Sequence, residues 1–138
     1  MKTLLKEHLK ELKFSLRNWK RYKARVKKEE FLKNEDVQNM CFYEMFTAVQ
    51  AAIDVGNDII SLKDLREPQT YKEIFEILKN SGVIDGRLCD RMKRLVGFRN
   101  VLAHFYWKID LERAYRILKV GDKILERFAE TVKRKLKV

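Results

Sequence analysis

The chain has 138 residues, enough for one domain with a single core. Hydrophobic residues make up 46%, with one proline and five glycines, a composition that excludes a disordered or linker-rich polypeptide. Lysine and arginine outnumber aspartate and glutamate by 31 to 20, a formal net charge of +11, which favours a negatively charged partner such as nucleic acid or an acidic protein.

The first residues, Met1-Lys2-Thr3-Leu4-Leu5-Lys6-Glu7, break any apolar run, so no signal peptide is expected. No stretch approaches the ~20 apolar residues of a membrane span. Leu5, Leu9, Leu12, Leu16, Trp19 and Val26 recur at three- and four-residue steps, which predicts an amphipathic helix from about residue 2 to the early thirties. Its other face is rich in lysine, and His8 reads as a surface residue with no chemical partner. Part of the excess charge, in Lys20-Arg21, Lys27-Lys28 and Lys133-Arg134-Lys135, reads as solvated helix face.

Asn34-Glu35-Asp36 offers caps for a second helix running to about Leu62. Two apolar stripes, one through Cys41, Ala48, Ala52 and Ile59 and one through Phe42, Phe46, Val49 and Ile53, make this the central helix. A narrow polar band through Thr47, Gln50, Asp54 and Asp58 reads as a solvated face, with Gln50 and Asp54 as the members able to orient catalytic groups. Thr70-Tyr71-Lys72-Glu73 reads as a capping box that opens a short helix ending at Ser81-Gly82. Asp85 caps a fourth helix with Leu88, Met92, Leu95 and Leu102 inward, and Asp110 caps a fifth. No alternating strand pattern occurs. Cys41 and Cys89 fall on apolar positions without metal-ligand spacing, as expected of reduced thiols in a cytoplasmic protein.

The fourth helix carries the chemistry. Arg99-Asn100-Val101-Leu102-Ala103-His104-Phe105-Tyr106 gathers a guanidinium, a carboxamide, an imidazole and a phenol in a chain with only two histidines. Cleaving a phosphodiester without a metal needs a group that titrates near neutral pH and a permanent cation for the phosphate. His104 and Arg99 supply them, and Asn100 can hold either an imidazole or a phosphate oxygen. The Tyr106 ring can pack with Phe105 and Trp107 or stack on a base. On a regular helix Arg99 and His104 stand about 140° apart. Either the helix breaks before His104 or the site draws on two chains.

The Arg-x-x-x-x-His-x-Tyr pattern resembles the signature of HEPN-domain ribonucleases, in particular HepT-like toxins. The similarity extends over nearly the whole chain, through the Gln50-Ala51-Ala52-Ile53-Asp54 helix, the Tyr71-Lys72-Glu73-Ile74 helix, the Gly82-Val83-Ile84 turn and the helix after Ile109-Asp110. The resemblance implies an all-α, up-and-down bundle of four or five helices over residues 1–138. It implies a two-fold homodimer whose paired motifs line one cleft. It further implies a metal-independent endoribonuclease toxin acting on RNA, with Arg99 and His104 catalytic, Asn100 supporting, and neither metal nor cofactor. Its partner would be an MntA-type nucleotidyltransferase antitoxin that attaches AMP to Tyr106. The chain carries no nucleotidyltransferase signature, so it would be the target. A non-catalytic helical adaptor that binds RNA, nucleotide or the antitoxin is the alternative.

Overall fold

The computed structural model describes residues 2–138, and every regular element among them is helical. Six α-helices follow in order: α1 (Thr3–Arg25), α2 (Lys28–Lys33), α3 (Glu35–Leu62), α4 (Tyr71–Asn80), α5 (Gly86–His104) and α6 (Leu111–Leu136). A single 3-10 turn, Tyr106–Lys108, joins the last two.

The caps lie where the side-chain chemistry puts them. Asn34 accepts from the Val37 N–H, Thr70 from Glu73, Asp85 from Leu88 and Asp110 from Arg113, each satisfying one backbone donor of a first turn. The reciprocal arm of the Thr70 box is displaced by one residue. The Glu73 carboxylate accepts from the Gln69 N–H at 2.9 Å and pairs with Arg66, which hold its pKa below the usual glutamate range.

The expected long first helix is two helices. Val26 turns to extended backbone (ψ 123°) and the chain restarts at Lys28. Both Val26 and Phe31 are buried, yet five residues apart on one straight helix they would point about 140° apart. The break resets the phase and lets Phe31 pack edge-on against Phe42, 5.7 Å between centroids.

Helix α3 touches all five of the other α-helices. Contacts Ser15–Thr47 and His8–Asp58 run in opposite chain directions, so α1 and α3 are antiparallel. Contacts Lys2–Leu136 and Lys23–Asp122 show the same for α1 and α6. The bundle is therefore up-and-down. Trp19 seals the α1–α6 seam: its indole N–H donates to the Leu118 carbonyl at 2.8 Å. The helices approach closely there because residue 121 is glycine; a Cβ would meet the Trp19 ring at 2.9 Å. Beside it the buried Asp122 carboxylate is neutralised by Lys23 at 3.0 Å.

Candidate active site

Helix α5 buries Leu88, Met92, Leu95 and Val96 against the core and turns Arg99, Asn100 and His104 outward. It does not break before His104. The helix ends at the next residue, Phe105 (φ −135°, ψ 43°), whose N–H still donates to the Val101 carbonyl at 2.9 Å. Arg99, Asn100 and His104 nonetheless line one cleft of about 630 Å3, closed on the other side by Asn57 of α3 and by Thr70 and Tyr71 at the start of α4. The cleft wraps around α5, so an arc of about 140° still opens into a common space.

The Arg99 guanidinium is fixed on four sides. Its Nη2 and Nε donate to the Gln50 Oε1 at 2.9 and 3.2 Å, and Nη1 donates to the Asn100 Oδ1 at 3.1 Å. Its carbon lies 4.7 Å from the Phe46 ring centroid and 5.0 Å from that of Tyr71, so two aromatic faces sandwich the cation. Gln50 is oriented in turn, because its Nε2 donates to the Asp54 Oδ1 at 3.1 Å. A guanidinium has five N–H donors. One on each Nη remains for a ligand in the cleft, which is the fork that suits a phosphate.

The polar band of α3 is therefore not simply a solvated face: Gln50 and Asp54 hold the arginine. Phe46 and Tyr71 were hidden in the sequence, Phe46 among core positions and Tyr71 inside a cap. An aromatic four residues before Gln50 was the available signal, since it stands one turn away on the same face.

His104 is exposed at the end of α5, its ring edge-on to Phe105 with 6.4 Å between centroids. Tyr106 is not among the residues lining the cleft. Its hydroxyl donates to the Asn39 Oδ1 and its ring meets Phe42 edge-on at 6.0 Å. Partial burial and the Glu35 charge push its phenol pKa above the usual value. The flanking Phe105 and Trp107 are exposed, Trp107 at 76%.

His8 departs from expectation. It is half-buried at the α1–α3 seam with its Nδ1 2.5 Å from an Asp58 oxygen. The reason is the register of the two helices, which brings the Asp54–Asp58 turn of α3 against the His8–Glu11 turn of α1. Burial lowers the imidazole pKa, but the Asp58 hydrogen bond and charge, with Asp54 and Glu11 behind them, outweigh it and raise the value. His8, Glu11 and Asp54 ligand atoms lie within 4.8 Å of one another, the grouping among the described residues with spacing suited to a metal ion. One imidazole nitrogen there is already engaged by Asp58. Cys41 and Cys89 are buried free thiols; burial, with the Glu30 charge, pushes Cys41 up to about 11.

This bundle, with its motif at the end of α5, has the fold of HEPN toxins. The chain superimposes on the tri-AMPylated HEPN toxin of Shewanella oneidensis, solved in complex with an MNT antitoxin, with a TM-score of 0.88 at 21% identity over 97% of this chain and 99% of that one. A further neighbour, a toxin–antitoxin solved with AMP-PNP, gives 0.87 at 20% identity over 96% of this chain and 100% of that chain. The chain belongs to the ribonuclease HepT-like family, whose model matches residues 12–132. Among curated relatives it is 25% identical to the mRNA nuclease HepT of Shewanella oneidensis, over 75% of this chain and 78% of that protein. It is 31% identical to a putative RNase of Archaeoglobus fulgidus, over 66% of this chain and 68% of that one. A putative RNase of Bacillus subtilis, YutE, is 28% identical over 62% of this chain and 59% of its own length. No helix of the described residues is long and apolar enough to cross a membrane.

Proposed function

We propose that this chain is a metal-independent endoribonuclease toxin that cuts RNA by attack of the 2′-OH on the neighbouring phosphorus. The observation that carries the reading is the Arg99 guanidinium, held by Gln50, Asn100, Phe46 and Tyr71 with two N–H donors left over, in the same cleft as His104. Arg99 stabilises the charge that grows on the phosphoryl oxygens, and its fixed position means that no reorganisation is required as that charge develops. His104, exposed at the helix end, takes the proton of the attacking hydroxyl or gives one to the 5′-oxygen as its bond to phosphorus breaks. Asn100 donates its amide N–H groups to a phosphate oxygen while its Oδ1 steadies Arg99. The nucleophile belongs to the substrate, so DNA is spared.

Two chains form the working unit in this reading. The exposed Phe105 at the cleft and Trp107 beside it give an apolar surface that a second copy covers, and two-fold symmetry then brings both Arg99–His104 sets to one strand. A nucleotidyltransferase antitoxin, like those solved with the neighbouring toxins, silences the pair by attaching AMP to Tyr106. Added phosphate beside the motif repels RNA and competes for Arg99.

The test is cleavage of end-labelled RNA and of DNA of the same sequence by purified protein, with and without EDTA. Wild type cuts RNA alone and is indifferent to EDTA, while His104→Ala and Arg99→Ala each lose at least about 100-fold, the order expected for a general acid–base or an oxyanion donor. Loss of cutting in EDTA overturns the metal-free mechanism. RNA binding by wild type and His104→Ala alike, with no cutting by either, makes the protein an adaptor.

A further inference from the structure

The basic charge of this protein is unevenly neutralised. Lys20, Lys23 and Lys28, on the lysine-rich first helices, are ion-paired with Glu126, Asp122 and Glu112. Between α5 and α6 the opposite holds. A second groove of about 630 Å3 has Arg91 and Arg94 on its α5 wall and Arg113, Arg116, Lys123 and Arg127 on its α6 wall. None of these six cations forms an ion pair or a side-chain hydrogen bond among the described residues. On α5, Arg91 and Arg94 lie to one side of Arg99 while Asn100 and His104 lie to the other, so groove and cleft flank the same helix.

Three occupants suit so basic a groove: a second copy, an acidic amphipathic helix and a polyphosphate chain. A two-fold contact between copies brings like charges together, which is unfavourable. An amphipathic helix needs an exposed apolar trough for its anchors. Here Leu88, Leu95 and Gly121 on the floor are buried by the protein itself, Ile117 and Ile124 are half-buried, and Val120 alone stands well exposed, at 56%. The groove thus exposes a shallow apolar strip, from Val120, the half-buried Ile117 and Ile124 and the aliphatic stems of the arginines, rimmed by six cations. Five of its six cations are arginine, whose planar fork pairs with phosphate and stacks on bases.

We propose that this groove binds the phosphate backbone of single-stranded RNA, extending the substrate beyond the cleft. Arg113 and Arg127 are 14 residues apart on α6, about 21 Å, which accommodates about six phosphates at the ~3.4 Å spacing of a stacked strand. Neighbouring helices lie about 8–10 Å apart, so the groove admits one strand and not a duplex. The identity of the polyanion rests on the ribonuclease reading; the binding itself does not depend on catalysis.

The experiment uses the full chain carrying His104→Ala and a fluorescent oligouridylate, with anisotropy measured across a salt series. Six phosphate contacts give a slope of log affinity against log salt of about −4. Replacing Arg91, Arg94, Arg116 and Arg127 by glutamine weakens binding at least about tenfold at about 50 mM salt and makes the slope shallower by about 3. Circular dichroism checks the fold, and the single Arg116→Glu variant, expected to weaken binding severalfold, stands in should the quadruple variant fail to fold. Folded groove variants that bind RNA with unchanged affinity and slope overturn the proposal. Polyglutamate displacing the RNA as well as unlabelled oligouridylate overturns it in favour of an acidic protein partner. Intact RNA after incubation with wild type, beside the same loss of binding in the groove variants, counts against the ribonuclease reading alone.

Discussion

Gln50 and Arg99 meet across the α3–α5 seam in a two-point contact, one carboxamide oxygen accepting from both Nη2 and Nε of the guanidinium at 2.9 and 3.2 Å. The carboxamide is oriented by Asp54, which accepts from its other end. Arginine, glutamine and aspartate thus form a chain in which each link orients the next. A hydrogen bond to a charged group contributes about 1.5–3 kcal/mol, larger than a neutral one.

Gln50→Ala removes that support without touching His104. At about 1.4 kcal/mol per tenfold, cleavage slows by about 10-fold or more, chiefly in kcat, because Arg99 then wanders from its transition-state position. The pH profile of the remaining activity keeps its shape. A rate equal to wild type shows that Phe46, Tyr71 and Asn100 position the cation without Gln50.

Two helical glycines respond oppositely to alanine. At Gly121 a Cβ meets the Trp19 ring at 2.9 Å, and that ring cannot retreat while its N–H is held by Leu118. Overpacking costs about 1–3 kcal/mol, which exceeds the ~1 kcal/mol helix-propensity gain, so Gly121→Ala lowers the thermal midpoint. At Gly97 the nearest atom is the mobile Lys72 Nζ at 3.4 Å. There the propensity gain wins and Gly97→Ala raises the midpoint. Calorimetry of the two variants beside wild type checks both signs.

His8 links stability to pH. Its folded pKa is raised above 6.5 by Asp58, Asp54 and Glu11 acting against burial. A group whose folded pKa is raised stabilises fully below its unfolded value, and the contribution fades as pH climbs through the folded one. The gap in thermal midpoint between wild type and His8→Gln is therefore widest below pH 6.5 and narrows in alkaline buffer. A gap that widens with rising pH means that His8 is neutral in the fold.

Tyr106 is the expected acceptor of AMP. Intact-mass spectrometry of protein co-expressed with a nucleotidyltransferase antitoxin shows whole AMP increments on wild type and none on Tyr106→Phe. Modification breaks the Tyr106–Asn39 hydrogen bond, so the modified protein also unfolds at lower temperature. Increments that persist on Tyr106→Phe move the acceptor to another side chain.

Local chemistry made much of this protein legible in the sequence. Asn34, Thr70, Asp85 and Asp110 cap the helices they precede, because a short oxygen-bearing side chain serves the backbone N–H groups two or three residues on. The apolar stripes of α3 and α5 mark their buried faces for a similar reason, since helical period alone decides which residues share a side. The Arg99–His104 pair was visible because it is contiguous in the chain.

What the sequence left open depends on how helices lean on one another. The break at Val26 follows from Phe31 needing the same core as Val26, a conflict of phase that appears only once α3 supplies Phe42 as a partner. Gln50, Phe46 and Tyr71 reach Arg99 from 49, 53 and 28 residues away, and the His8–Asp58 pair from 50. The unpaired arginines of the α5–α6 groove are likewise a property of two helices side by side. By itself the sequence determined where the four side-chain-capped helices begin, which faces they bury and which groups could do chemistry, all consequences of neighbours within a turn or two. The tertiary structure alone decided which cations are clamped, which are neutralised and which stay open to a ligand, because those outcomes depend on distances between side chains far apart in the chain.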